Sequence, residues 1–163
     1  FKKRKSSIYR DKPPYSIFGI GPYSFSRYKV AIAGFYKDPI FRIVSPLQGR
    51  PVMLDDTCYF IPVESADHAV FLSVILNSPE CRKLIESFVF WDSKRPITKK
   101  VLQRIDLMAL VNRLDNKLIE KQVTHSANLL AKLRPRKTPF DLHALLDGLR
   151  SIASNESLQI HLF

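Results

Sequence analysis

Two cysteines and five glycines are all that this chain of 163 residues holds of either type, and no apolar run approaches the roughly 18 residues of a membrane span. Each shortage closes off a class of protein. Cys58 and Cys81 stand 23 positions apart in apolar surroundings, with no CxxC and no cysteine or histidine cluster. That spacing argues against a disulfide framework, a zinc site or a redox pair, and for buried thiols in a reducing cytoplasm. The few glycines include Gly19-Ile20-Gly21, but Pro22 and an extended-looking segment follow instead of a helix. The pattern therefore reads as a turn in which the backbone bends close to its neighbours, and not as a dinucleotide or phosphate loop. A basic-then-apolar leader is also missing, so no contact with a membrane is expected. His68, His125, His143 and His161 have no metal-ligand spacing and no matching Ser or Cys motif, which leaves neither a catalytic residue nor a metal ligand to assign.

Acidic residues are scarce at the front. Residues 1–50 carry eleven Lys/Arg against two acids, residues 51–105 seven against seven, and residues 106–163 eight against six, so most of the net charge of +11 lies in the first third. A polyanion facing that third is the simplest partner, because neutralising phosphates releases counterions and supplies affinity with no sequence requirement. Charge alone fits an ordinary soluble basic protein equally well. The opening Lys2-Lys3-Arg4-Lys5-Ser6-Ser7 reads as a solvated arm and lacks the amphipathic helix that lipid favours. The chain opens on Phe1, not Met, which suggests a piece of a longer polypeptide.

A chain of this length forms one domain, or one domain with an appendage, and buries roughly 70% of its unfolded surface without staples. Strands are predicted at Tyr15 to Ile20, Lys29 to Ala33, Phe41 to Val44, Val52 to Leu54 and Cys58 to Val63, each rich in Val, Ile, Phe or Tyr and bounded by Gly, Pro, Ser or Asp. From Ser65 the period changes. Ala69 to Leu76 is apolar nearly all round, as in a core helix. Ser78 then caps a helix with Pro79 in its first turn and Cys81, Leu84, Ile85 and Phe88 on one face. Phe88 to Trp91 looks extended and is expected to return to the sheet, and a short helix follows Thr98. Beyond Asp106 one apolar stripe runs Leu107, Leu110, Val111, Leu114 and a less regular one Leu118, Leu129, Leu130, Leu133. Arg134-Pro135-Arg136-Lys137 is a break, and Thr138-Pro139 starts a last helix. The succession predicts an α+β fold: a mixed, mainly antiparallel sheet with packed helices over residues 1–107, and a helical carboxyl-terminal extension over 108–163.

Two loops combine cations, hydroxyls and aromatics. In Tyr23 to Lys29, the rings of Tyr23 and Phe25 can stack or wedge, Ser26 and Arg27 can reach base edges, and Lys29 can pair with phosphate. The segment Asp92 to Lys100 adds Lys94, Arg95, Lys99 and Lys100. Any one of these aromatics is as well suited to a core, but the two loops together favour double-stranded DNA. Asp92-Ser93-Lys94 after a strand, with Asp55 and Asp56 upstream, is also the loose layout of a Mg²⁺-dependent nuclease in which Lys94 orients water. A third class is a protein-interaction module using the helical tail. Lys12-Pro13-Pro14-Tyr15 has the shape of the loop that holds a target base in amino-methyltransferases, but Lys12 stands where an acceptor is needed and cannot accept a hydrogen bond.

Several longer phrases carry a resemblance. Arg4-Lys5-Ser6-Ser7-Ile8-Tyr9, Tyr15-Ser16-Ile17-Phe18-Gly19-Ile20-Gly21, Tyr28-Lys29-Val30-Ala31-Ile32-Ala33-Gly34, Pro51 to Phe60, Leu76-Asn77-Ser78-Pro79 and Phe90-Trp91-Asp92 through Leu107 occur in order over the first two thirds. In these the chain resembles the target-recognition (specificity) domain at the carboxyl end of adenine-specific DNA methyltransferases, the TaqI-like group and fused restriction and modification enzymes. The resemblance implies a mixed domain that closes over DNA opposite an N-terminal methyltransferase domain of the same polypeptide. S-adenosylmethionine and the flipped adenine belong to that other domain, so this stretch is expected to hold no cofactor and to be non-catalytic. The tail after about Leu114 is not covered.

Overall fold

A computed structural model describes Ser7, Arg10, Ser16, residues 19–133, Asp141 and residues 143–147. Within them lies a three-stranded antiparallel sheet, β1 (Tyr28–Ala33), β2 (Arg42–Val44) and β3 (Cys58–Val63), in the order β2-β1-β3. Five helices follow up to residue 133: α1 (Ala66–Leu76), α2 (Pro79–Phe88), α3 (Lys99–Leu102), α4 (Leu107–Arg113) and α5 (Asn116–Leu133), and residues 143–147 are helical as well. The chain is thus α+β, with the strands antiparallel throughout the described sheet.

β1 is the central strand, and its composition explains why. Tyr28, Val30 and Ile32 face one side, pairing with Val63, Ile61 and Tyr59 of β3, and these six side chains build the core under α1. The alternate residues Lys29 and Ala31 are buried too, so β1 is covered on both faces and reads as a continuous run in place of an alternation. Helix α1 is sealed by the same core: Ala69, Val70, Phe71, Leu72, Ile75 and Leu76 are all buried, as expected of a helix apolar on every side. Each helix start has its own reason. Ser65, Ser78, Thr98 and Asp106 accept the backbone N–H three residues on, from His68, Cys81, Val101 and Ala109, at 3.1, 3.2, 3.4 and 2.9 Å.

The junction between α1 and α2 ties the helices to the sheet. Asn77 Oδ1 accepts the N–H of Phe41 at 2.8 Å while its Nδ2 donates to the Phe41 carbonyl at 2.8 Å, so one side chain satisfies the backbone just ahead of β2. Arg82 of α2 reaches Asp38 at 2.8 Å across the same connection, a half-exposed pair that contributes little beyond orientation.

Three expectations are corrected. Val52 to Leu54 is irregular: the described sheet consists of β1, β2 and β3, and no described strand pairs with this segment. Phe88 ends α2, and after the extended Val89 the chain turns, with Ser93 N–H donating to Phe90 O at 3.1 Å, so that it enters no described ladder: Val89 is buried, Trp91 is half-buried against the core, and Phe90 between them points outward. Among the described side chains of α5, Ile119 and Val123 are buried, while Leu118 is exposed. The core runs on through Leu107, Leu110 and Val111 of α4 to Leu145, where Asp141 Oδ1 accepts the N–H of Ala144 at 3.1 Å. The predicted strand at Tyr15 lies largely outside the described residues, as do the break at Arg134 and the cap at Thr138. The side chains of Leu129, Leu130 and Leu133 lie outside them as well.

Candidate nucleic-acid interface

The first loop is built from short-range bonds. Gly19 turns with φ 72°, a value that favours glycine, and its carbonyl accepts the Tyr23 hydroxyl at 2.7 Å. Pro22–Phe25 is a single 3-10 turn in which Ser24 N–H donates to Gly21 O at 2.9 Å and Gly21 N–H donates to Ser24 Oγ at 3.3 Å. Side chains then alternate inward and outward. Tyr23 is half-buried with its ring centroid 6.1 Å from that of Phe60, Ser24 and Ser26 are buried, and Phe25 is 59% exposed. Arg27 is exposed, with its guanidinium carbon 5.9 Å from the Tyr28 ring centroid.

Lys29 and Ser26 do not sit where the sequence suggested. The Lys29 side chain points back under the loop and the residue is only 1% exposed, with Nζ donating to the Ser26 carbonyl at 2.9 Å and lying 5.6 Å from the Phe60 ring centroid. Loss of water around the ammonium pulls its pKa below the ordinary lysine range, a shift that Glu64 partly offsets. Ser26 Oγ lies 3.0 Å from Tyr23 O and 3.3 Å from Tyr28 O, turned into the chain. Both residues serve the loop from within.

The second loop folds against the far end of β1. Ile97 N–H donates to Gly34 O at 3.4 Å, and Gly34 N–H donates to Thr57 O at 2.8 Å. A methyl group on Gly34 would stand 3.0 Å from the Tyr59 ring and 3.2 and 3.3 Å from the carbonyls of Thr57 and Ile97, so three segments meet there more tightly than a side chain fits without a shift of a few tenths of an ångström. Outside this anchor, Lys94, Lys99 and Lys100 are exposed, and the Arg95 guanidinium carbon lies 4.6 Å over the Phe35 ring. Phe90 is 84% exposed and Tyr36 71%. Arg104 stacks at 4.5 Å on Phe88.

The two loops stand at opposite ends of β1, not side by side. Six residues of strand separate them by about 17 Å. Sequence reasoning missed Phe35, Tyr36 and Arg104 altogether and took Phe90 for a sheet residue. An aromatic pair straight after a strand-ending glycine was the available signal for Phe35 and Tyr36.

Asp55, ahead of β3, is held by its near neighbours. Asp55 Oδ1 accepts the Thr57 hydroxyl at 2.5 Å and its N–H at 3.0 Å, bonds that hold its carboxyl below the ordinary range, with Arg95 adding a smaller contribution. Among the described residues no three of His, Cys, Asp or Glu group as ligands. No described helix is long and apolar enough to cross a membrane.

The site is thus a pair of aromatic and cationic loops held at the two ends of one buried strand. Over 107 residues the chain is 46% identical to the type II methyltransferase M.NspV of Nostoc sp.. The match takes in 66% of this chain and 22% of that protein, so the chain spans about a fifth of the length of the curated relative it matches. Over that stretch the chain is similar to part of a type II methyltransferase. No protein-family profile matches the chain, and no solved structure does.

Proposed function

We propose that this chain is the DNA target-recognition part of an adenine-specific methyltransferase of a restriction-modification system, acting in the cytoplasm. The 46% identity to part of a type II methyltransferase carries the reading. The loop geometry supports it. Phe25 and Arg27 are presented outward from a braced turn, and Lys94, Arg95, Lys99 and Lys100 surround the second anchor. Loops at opposite ends of a strand about 17 Å long fall on different base pairs of a duplex that rises about 3.4 Å per pair, so one loop reads base edges while the other holds phosphates farther along. Tyr23 and Ser26 shape the first loop, and Phe25 is the group offered to a base step. Methyl transfer and S-adenosylmethionine binding fall to a catalytic domain that this stretch does not supply.

The test is a salt titration of binding to a mixed-sequence 30-base-pair duplex. With Arg27, Lys94, Arg95, Lys99 and Lys100 each meeting one phosphate, log affinity falls by at most about 4.5 per log unit of salt. Affinity then drops by up to roughly 500-fold between 50 and 200 mM salt. Binding insensitive to salt rejects the proposal, and Asp92-dependent nicking of plasmid in Mg²⁺ replaces it with a nuclease.

A further inference from the structure

We infer that Lys29 is a positioning residue that props the first loop from inside and so sets how Phe25 and Arg27 meet DNA. The inference rests on the recognition reading just given, and it reverses the role that a lysine beside a basic loop would ordinarily take. A lysine on a strand next to a solvent-facing loop usually extends its ammonium into water, where any phosphate is met. Here the ammonium is enclosed. Nζ donates to Ser26 O at 2.9 Å, and the Phe60 ring lies 5.6 Å away with Tyr23 packed on the same ring. The loop residue that receives the bond stands between the two that face outward, Phe25 and Arg27.

The geometry gives this bond leverage. Ser26 O belongs to the residue that closes the 3-10 turn, whose own N–H donates to Tyr23 O at 3.3 Å. Fixing that carbonyl fixes the turn and hence the direction of Phe25. Burying a cation costs free energy unless it is well paired, so a lysine at this position stabilises the fold less than an apolar side chain of similar length. Its contribution lies instead in conformational order of five or six loop residues, which binding would otherwise have to supply.

Three measurements separate this role from a phosphate contact and from plain fold stability. First, Lys29→Met and Phe25→Ala are compared for affinity to the 30-base-pair duplex over a salt series. Each is expected to weaken binding on the order of tenfold, as for loss of one base–aromatic contact, with the salt slope unchanged. A slope reduced by about 0.9 in Lys29→Met shows direct phosphate contact and overturns the inference.

Second, hydrogen exchange and tryptic cleavage after Arg27 are followed without DNA. Lys29→Met should accelerate both over residues 21–27 and leave the amides of α1 protected; unchanged loop exchange refutes the positioning role. Third, lysine acetylation of the unmodified chain should label Lys94, Lys99 and Lys100 well before Lys29, and equal labelling refutes the burial on which the inference depends. The second and third readouts need no DNA. Should Phe25→Ala leave binding intact while Lys29→Met loosens the loop, the recognition reading fails and the internal prop stands.

Discussion

Replacing Asn77 by alanine tests how the helices hold the sheet. The side chain receives the Phe41 N–H at 2.8 Å and donates to Phe41 O and to Ser73 O, each at 2.8 Å. Phe41 is 5% exposed, and its backbone lies at the edge of the core. Each bond is worth about 0.5–1.5 kcal/mol net, and a donor left unpaired away from water costs about 1–3 kcal/mol. Because Asn77 itself is exposed, water can replace part of what is lost, which places Asn77→Ala at about 2 kcal/mol of destabilisation. In a domain of this size that lowers the melting temperature by roughly 4–8 °C. Asn77→Asp separates donor from acceptor. It keeps an acceptor for Phe41 N–H but sets a carboxylate against two carbonyls, so at neutral pH it should be no more stable than the alanine variant. Urea unfolding followed by circular dichroism measures both. An alanine variant within 0.5 kcal/mol of the parent, or an aspartate variant equal to it, would refute the clamp.

Three further outcomes follow from the same geometry. Cys81 is fully buried and its thiol is pushed up to about 12 by burial, whereas Cys58 is half-buried; native alkylation read by mass spectrometry should therefore modify Cys58 first, and equal rates would contradict the packing of α2. Gly34→Ala forces the Thr57 and Ile97 carbonyls apart by a few tenths of an ångström and should cost about 1–2 kcal/mol in denaturant unfolding, with a neutral result showing that the second loop is not anchored there. Lys29 has a folded pKa below its ordinary value of 10.5, so between the folded and unfolded pKa values the unfolded chain binds more protons. Stability relative to Lys29→Met should accordingly rise with pH through that window and level off above about 10.5, and a falling difference would exclude the buried ammonium.

Local signals were enough wherever a residue acts through its immediate neighbours. Ser78-Pro79 caps α2 as its sequence requires, β3 occupies Cys58–Val63 as its composition predicts, and Ala69 to Leu76 of α1 is buried nearly all round because it is apolar nearly all round. The same signals failed for Val52 to Leu54 and Phe88 to Trp91, where strand-like composition found no partner to pair with. Composition supplies the propensity, but a ladder needs a second backbone at the right distance. For the candidate site, the exposed cations Arg27, Lys94, Lys99 and Lys100 were named from the sequence, but their arrangement was not.

What the sequence settled alone, then, is the class of fold, the basic front, the Ser78 cap of α2 and the membership of two loops in which aromatics alternate with cations. Tertiary structure decided the direction of each side chain. Lys29 and Arg27 are two residues apart and chemically alike, yet one lies under the loop and the other outside it. The reason is that burial depends on what the rest of the chain brings near: Phe60 from β3 and the Ser26 carbonyl enclose one ammonium, while the other cation stays exposed to water.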